Sequence, residues 1–198
     1  MIRAKTIYWP FITGMFVLSI LQGQDWRNSI GLVAGTDGSG ISFHRQYSLR
    51  SNLSIGFATR LYDIRAESEF PVYNYYTDRI EPSTEKYLLL FPLFGTVNYY
   101  PFDGKIDNNI APFATIQSGP LFTADADELN NKFFDRWHTA KTYWTLGGFV
   151  GVGIEMLMAG GSMVTVTAGS DIYPMKKKID GKKQYGGLSL DISFSKTF

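Results

Sequence analysis

The stretch GLSLDISFSKTF, residues 187–198, sets Leu188, Leu190, Ile192, Phe194 and Phe198 against Ser189, Asp191, Ser193, Ser195 and Thr197. Period two requires a β-strand lying between two different environments. The same alternation runs through residues 163–173, where Val164, Val166 and Ala168 oppose Thr165, Thr167, Gly169 and Asp171. In a water-soluble sandwich the polar face meets solvent and carries Lys, Glu and Thr. Here it is mostly Ser, Thr and Gly with single charges, too small and too sparsely charged for an ordinary wet surface. A barrel with lipid outside and a crowded polar interior explains both faces.

Eight segments read as strands: Asn28–Thr36, Gly40–Ser48, Leu53–Asp63, Tyr87–Tyr100, Ile110–Thr123, Tyr143–Met158, Met163–Tyr173 and Tyr185–Phe198. Lengths near those that cross a bilayer as tilted strands fit this reading. The connections differ by parity. Ile64–Lys86, Ala124–Thr142 and Pro174–Gln184 are long and polar, whereas Leu49–Asn52, Pro101–Asn109 and Ala159–Ser162 are generally shorter. Short turns on one side and long loops on the other are the asymmetry of outer-membrane barrels. The predicted fold is all-β: an eight-stranded antiparallel up-and-down transmembrane β-barrel, monomeric, with both termini on the short-turn side. The last strand must then pair with the first, because an open edge cannot stand in lipid. Trp26, Tyr47, Tyr87, Tyr99, Tyr100, Tyr143, Trp144 and terminal Phe198 are candidates for the aromatic girdles.

Composition agrees, with 16 % aromatic residues and 20 Gly, which favour strands and tight turns. The N-terminus has a different grammar. Arg3 and Lys5 precede the apolar stretch IYWPFITGMFVLSIL, followed by QGQ, which is the layout of a secretory signal peptide. Spanning needs about 20 apolar residues, and Pro10 and Gly14 interrupt this shorter run. The expected division is 1–23 as signal peptide and 24–198 as barrel, exported to the outer membrane of a Gram-negative-type bacterium. Loss of Arg3 and Lys5 moves the net charge from +1 to -1, which offers no electrostatic case for nucleic acid. With no Cys, disulfides, Cys-ligated metals and thiol nucleophiles are excluded.

GGFVGVGIEML, residues 147–157, resembles the Gly-x-Gly-x-Glu strand of small outer-membrane β-barrels of the OmpA/OmpX and opacity-protein type. The last strand, ending in Phe198, is similar to the signal by which the barrel-assembly machinery recognises such proteins, although Lys196 interrupts its apolar row. The resemblance implies functions from membrane stabilisation and adhesion to small-solute passage, and lipopolysaccharide-containing membrane and the assembly machinery as partners. Fold does not choose among these functions.

Alternation turns Glu155 inward with Gly151 and Gly153, and Arg60 inward with Ser54, Gly56 and Ala58. Charges inside a narrow barrel must pair, since an unpaired buried charge costs several kcal/mol. Asp171, Asp191, Gln117, Gln46 and His44 are candidates for the same interior network, either as an ion-pair plug or as a polar gate. His138 lies in a long connection, and two lone histidines have no metal-ligand spacing. His44 would be the base of a lipid-modifying enzyme, but it is followed by Arg45 and Gln46 rather than by the His-x-Ser expected of barrel lipid A deacylases. Asp63 has no matching Asp/His set of the barrel-protease kind. The reading is therefore no enzyme and no cofactor or metal. Arg45 shares the lipid-facing row with Phe43 and Tyr47, where a midplane Arg would cost about 2 to 4 kcal/mol. It either lies at the short-turn boundary or follows a bulge.

Lys176, Lys177, Lys178, Lys182 and Lys183 sit in PMKKKIDGKKQ at the proposed cell surface, as contacts for lipopolysaccharide phosphates or as a solvated hairpin tip. FPVYNYYTDRIEP is aromatic enough to dock a partner or to fold against the barrel mouth. The expected role is structural or surface-interacting. The alternatives are a narrow passive channel for small solutes, a lipid-modifying barrel enzyme, and a soluble lipocalin-like binding barrel.

Overall fold

A computed structural model describes residues 26–64, 72–76, 78–81, 87–103, 105–106, 109–126, 140–179 and 182–196. The proposed signal segment 1–23, His138 and the terminal Phe198 lie outside the described residues. Eight strands form one closed barrel: β1 (Trp26–Gly35), β2 (Gly38–Arg50), β3 (Leu53–Ile64), β6 (Tyr87–Tyr99), β7 (Ile110–Ala126), β8 (Lys141–Leu157), β9 (Ser162–Ile179) and β10 (Lys182–Lys196). Each strand pairs antiparallel with its neighbours in chain order. The barrel closes where β1 meets β10, from Ser29 opposite Ser195 to Gly35 opposite Ser189. Two short strands, β4 (Val72–Asn74) and β5 (Arg79–Glu81), form a separate hairpin between β3 and β6.

The period-two rows divide as the pleat requires. Ile30, Leu32, Ile41, Ile55, Val97, Ile116, Val152, Ile172 and Leu188 face outward and are exposed, so every barrel strand contributes to one apolar belt. An apolar surface that encircles the whole barrel is far beyond the patches soluble proteins carry. Aromatic residues mark both edges of the belt. Trp26 and Tyr47 touch at 5.4 Å near the short turns. Phe91, Phe122 and Trp144 form one cross-strand row toward the long connections, with Phe122 and Trp144 at 5.1 Å.

Two of the expected girdle residues turn the other way. Tyr100 is buried and its hydroxyl donates to Glu155. Tyr143 packs against the interior apolar cluster. Both keep phase with inward neighbours, Asn98 for Tyr100 and Thr145 for Tyr143, so pleat parity overrides their aromatic character.

The pairing also settles Arg45. The register runs unbroken through Asn28, Arg45 and Phe57, and the irregularity in β2 falls later, between Ser48 and Arg50. Arg45 therefore keeps the outward phase toward the short turns, yet its side chain is covered there and only 3 % exposed. Its guanidinium lies over the Trp26 ring, 5.0 Å from the centroid, which suits a cation at an interface.

The expected connection Pro174–Gln184 is mostly strand. β9 continues to Ile179 and β10 resumes at Lys182, with a register irregularity between Lys182 and Gln184. Pro and a run of Lys disfavour strand locally, but Tyr173, Met175 and Tyr185 are buried together. That packing holds the hairpin extended.

Candidate functional site: the filled lumen and its rim

The interior is layered along the barrel axis. Toward the short turns, Arg27 of β1 reaches Glu155 of β8 in an ion pair, with one side-chain oxygen of Glu155 also accepting from Tyr100 Oη at 2.9 Å. Arg27 further donates to Gln46 Oε1 at 2.6 Å and contacts Met163 Sδ at 3.1 Å. Four strands thus meet on one guanidinium.

Above this layer lies a second cluster. Arg60 Nη1 of β3 donates to Asp171 Oδ1 of β9 at 2.7 Å, and Tyr173 Oη donates to the same oxygen at 2.8 Å. His44 Nε2 of β2 stands 3.1 Å from Asp191 Oδ2 of β10, and Arg60 Nε stands 3.9 Å from the same Asp191 oxygen. The Arg60 guanidinium lies 4.8 Å from the centroid of the Phe149 ring. Gln117 joins neither cluster; with His44, Gln46, Asn98 and Ser193 it lines a polar cavity of about 10 Å³, the space of about one water.

The loop end of the lumen is apolar. Val33, Tyr62, Leu88, Leu90, Leu121 and Tyr173 belong to one buried cluster that also includes Phe94 and Phe149. Glycine on the inward face of β8 and β9 does not leave the lumen open. A Cβ at Gly151 or Gly169 would strike the Phe149 ring, one at Gly153 would strike Phe113, and one at Gly147 would meet Phe94. The rings lie over the glycines and occupy the space that the missing side chains release. Chemically, the lumen is two layers of paired charge capped by a hydrophobic plug. Among the described residues no group of three His, Asp or Glu is placed to hold a metal ion.

At the rim, Lys176 and Lys178 are exposed on β9 and Lys183 on β10. Lys177 Nζ lies 6.0 Å from the centroid of the Tyr143 ring. Lys182 is tied down: Nζ stands 3.6 Å from Asp37 Oδ1, and Asp37 Oδ2 accepts from Gly186 N at 2.7 Å. The β4–β5 hairpin presents Tyr75 and Tyr76, which are 88 % and 100 % exposed. Tyr73 stacks edge-on with Tyr75 at 5.0 Å and donates to Asp78, which holds its phenol above the ordinary value.

Sequence reasoning passed over Arg27, Tyr100 and Tyr173. Arg27 is in phase with Ser29, Gly31 and Val33, so an earlier start for β1 would have turned it inward. Tyr100 reads as a girdle residue and Tyr173 as a strand end, and only the register brings them against Glu155 and Asp171.

No family model and no curated protein matches this sequence. Solved structures share the fold with little sequence identity. Neisserial surface protein A aligns at 11 % identity over 87 % of this chain and 95 % of that one, with a TM-score of 0.58. Ail of Yersinia pestis aligns at 9 % identity over 86 % of this chain and 97 % of that one, with a TM-score of 0.44. The N-terminal β-barrel domain of Pseudomonas aeruginosa OprF gives 9 % identity, 88 % and 99 % coverage, and a TM-score of 0.46. At such identities the likeness is one of fold, and it rests on the first of the three. This chain has the fold of the small eight-stranded outer-membrane β-barrels.

Proposed function

We propose that this protein is an outer-membrane β-barrel whose wall anchors it and whose rim meets the cell's surroundings, a structural or surface-interaction protein rather than a pore or an enzyme. The observation that carries this reading is the filled lumen inside an apolar belt. Two charge layers and a plug containing Leu90 and Leu121, both 0 % exposed, oppose passage of solutes. Small-molecule sites occupy about 300–1,000 Å³, far more than the interior cavity near His44 offers, so a lipocalin-like binding role is disfavoured. His44 and Asp191 are both buried, which removes them from substrate.

In this reading residues 1–23 direct export, the barrel-assembly machinery inserts the chain, and it acts as a monomer. The long connections face the cell exterior. There the lysines at 176, 177, 178 and 183 contact lipopolysaccharide phosphates, because such cations favour phosphate through charge-assisted hydrogen bonds, while Lys182 is held by Asp37.

The test is gel mobility of the protein in detergent, unheated against boiled, beside the same chain in plain buffer. A heat-dependent shift with β-rich circular dichroism only in detergent supports the membrane barrel. A folded monomer in plain buffer overturns it.

A further inference from the structure

Among the described residues a pronounced depression lies on the outer wall, not in the lumen. It spans β7, β8 and β9 near the short turns and measures about 410 Å³. Phe102, Pro112, Ala114, Val152, Val166 and Ala168 line it. The register explains its shape. Ala114, Val152 and Ala168 form one cross-strand row, and Pro112, Ile154 and Val166 form the next toward the turn. The alanines leave the floor low on both sides of Val152, and the turn after β6 brings Pro101 and Phe102 to the end of the groove. That turn is fixed by backbone bonds from Tyr100 N to Asn52 O and from Lys105 N to Phe102 O, each 2.9 Å.

Two observations name the occupant. The groove is continuous with the belt, since Val152 and Ile154 are themselves exposed belt residues, so it opens to whatever covers the belt. At its end the turn exposes both Asp103 and Lys105. A cation and a carboxylate at one level complement a headgroup that carries a phosphate and an ammonium together.

We infer that this groove holds one acyl chain of a zwitterionic, ethanolamine-type phospholipid of the periplasmic leaflet, its headgroup placed at the Asp103–Lys105 turn. The inference rests on the membrane reading above. A lipid seated this way differs from the rest of the lipid around the barrel in being retained when that lipid is stripped.

Native mass spectrometry of the full protein, purified from membranes in detergent and titrated with dioleoylphosphatidylethanolamine, tests it. One lipid per protein is expected to remain, and occupancy with dioleoylphosphatidylglycerol should be lower. Filling the groove with Ala114→Phe plus Ala168→Phe should reduce occupancy about tenfold, and each single substitution should reduce it in part. Leu32→Phe, on the outward face of β1, should leave it unchanged, and Asp103→Asn plus Lys105→Gln should erase the preference for ethanolamine. The heat-dependent gel shift reports folding of each variant, since all of these positions face outward. If the filled variant shifts normally and still retains the lipid, or if the unaltered protein retains detergent only, the inference falls and the membrane reading stands. If the protein shows no heat shift and folds in plain buffer, both fall.

Discussion

Arg60 on β3 and Asp171 on β9 meet at 2.7 Å across the lumen, each side chain 1 % exposed. Neither charge has water to fall back on. Removing one partner of a buried pair typically costs about 3–5 kcal/mol, whereas replacing both with apolar residues of similar volume is often neutral. Asp171→Ala should therefore destabilise the barrel strongly, and Arg60→Met with Asp171→Leu should recover most of the loss. Urea unfolding in lipid vesicles reads both. A double variant no more stable than Asp171→Ala would show that the stranded guanidinium is not the source of the loss.

The plug predicts silence in a planar bilayer. The unaltered protein should give no stepwise conductance, and Glu155→Gln should give none either, because the apolar cluster lies beyond it. Conductance should appear only after plug residues are truncated together, for example Leu90→Ala with Leu121→Ala and Phe149→Ala. Discrete channels in the unaltered protein would restore the transport alternative.

Gly35 and Tyr62 should be coupled. A Cβ at Gly35 would collide with the Tyr62 hydroxyl, and overpacking of this kind costs about 1–3 kcal/mol. Gly35→Ala should destabilise by about that amount, and adding Tyr62→Phe should return part of it. The double-mutant cycle measures the coupling directly.

Rim charge should set lipopolysaccharide affinity without altering the fold. Lys176→Glu, Lys178→Glu and Lys183→Glu together should abolish a lipopolysaccharide-dependent rise in unfolding temperature, while Lys182, held by Asp37, is left in place. Surface electrostatics of this type weakens as salt rises through a shortening Debye length. The unaltered protein should therefore lose much of the effect between about 0.05 and 0.3 M salt. An effect insensitive to salt and to these substitutions would remove the lysines from the proposed contact.

The barrel itself was legible because its strands alternate. Residues 163–173 and 187–196 announce two environments, and parity of connection length orders the whole. What stayed hidden has physical reasons. The stretch YLLLFPLF in β6 is apolar on both faces, so no period marks Leu88, Leu90 and Phe94 as the plug. The partners in the lumen depend on the stagger of strands that are distant in sequence, such as β1 and β8 for Arg27 and Glu155. The β4–β5 hairpin contains Asn and Asp beside its tyrosines and reads locally as loop. The extension of β9 through its lysines is imposed by the packing of Met175 and Tyr185 rather than by local preference.

Among the described residues, both arginine–carboxylate contacts of hydrogen-bond length across the lumen join one of the first three barrel strands to one of the last three: Arg27 to Glu155 and Arg60 to Asp171. A chain still lacking β8 to β10 holds its early cations with no carboxylate to meet them. Placing such a fragment in hydrocarbon carries the full desolvation penalty of bare charge. The wiring of the interior therefore works as a completeness check, in which lipid becomes a favourable destination only for a polypeptide that has arrived whole.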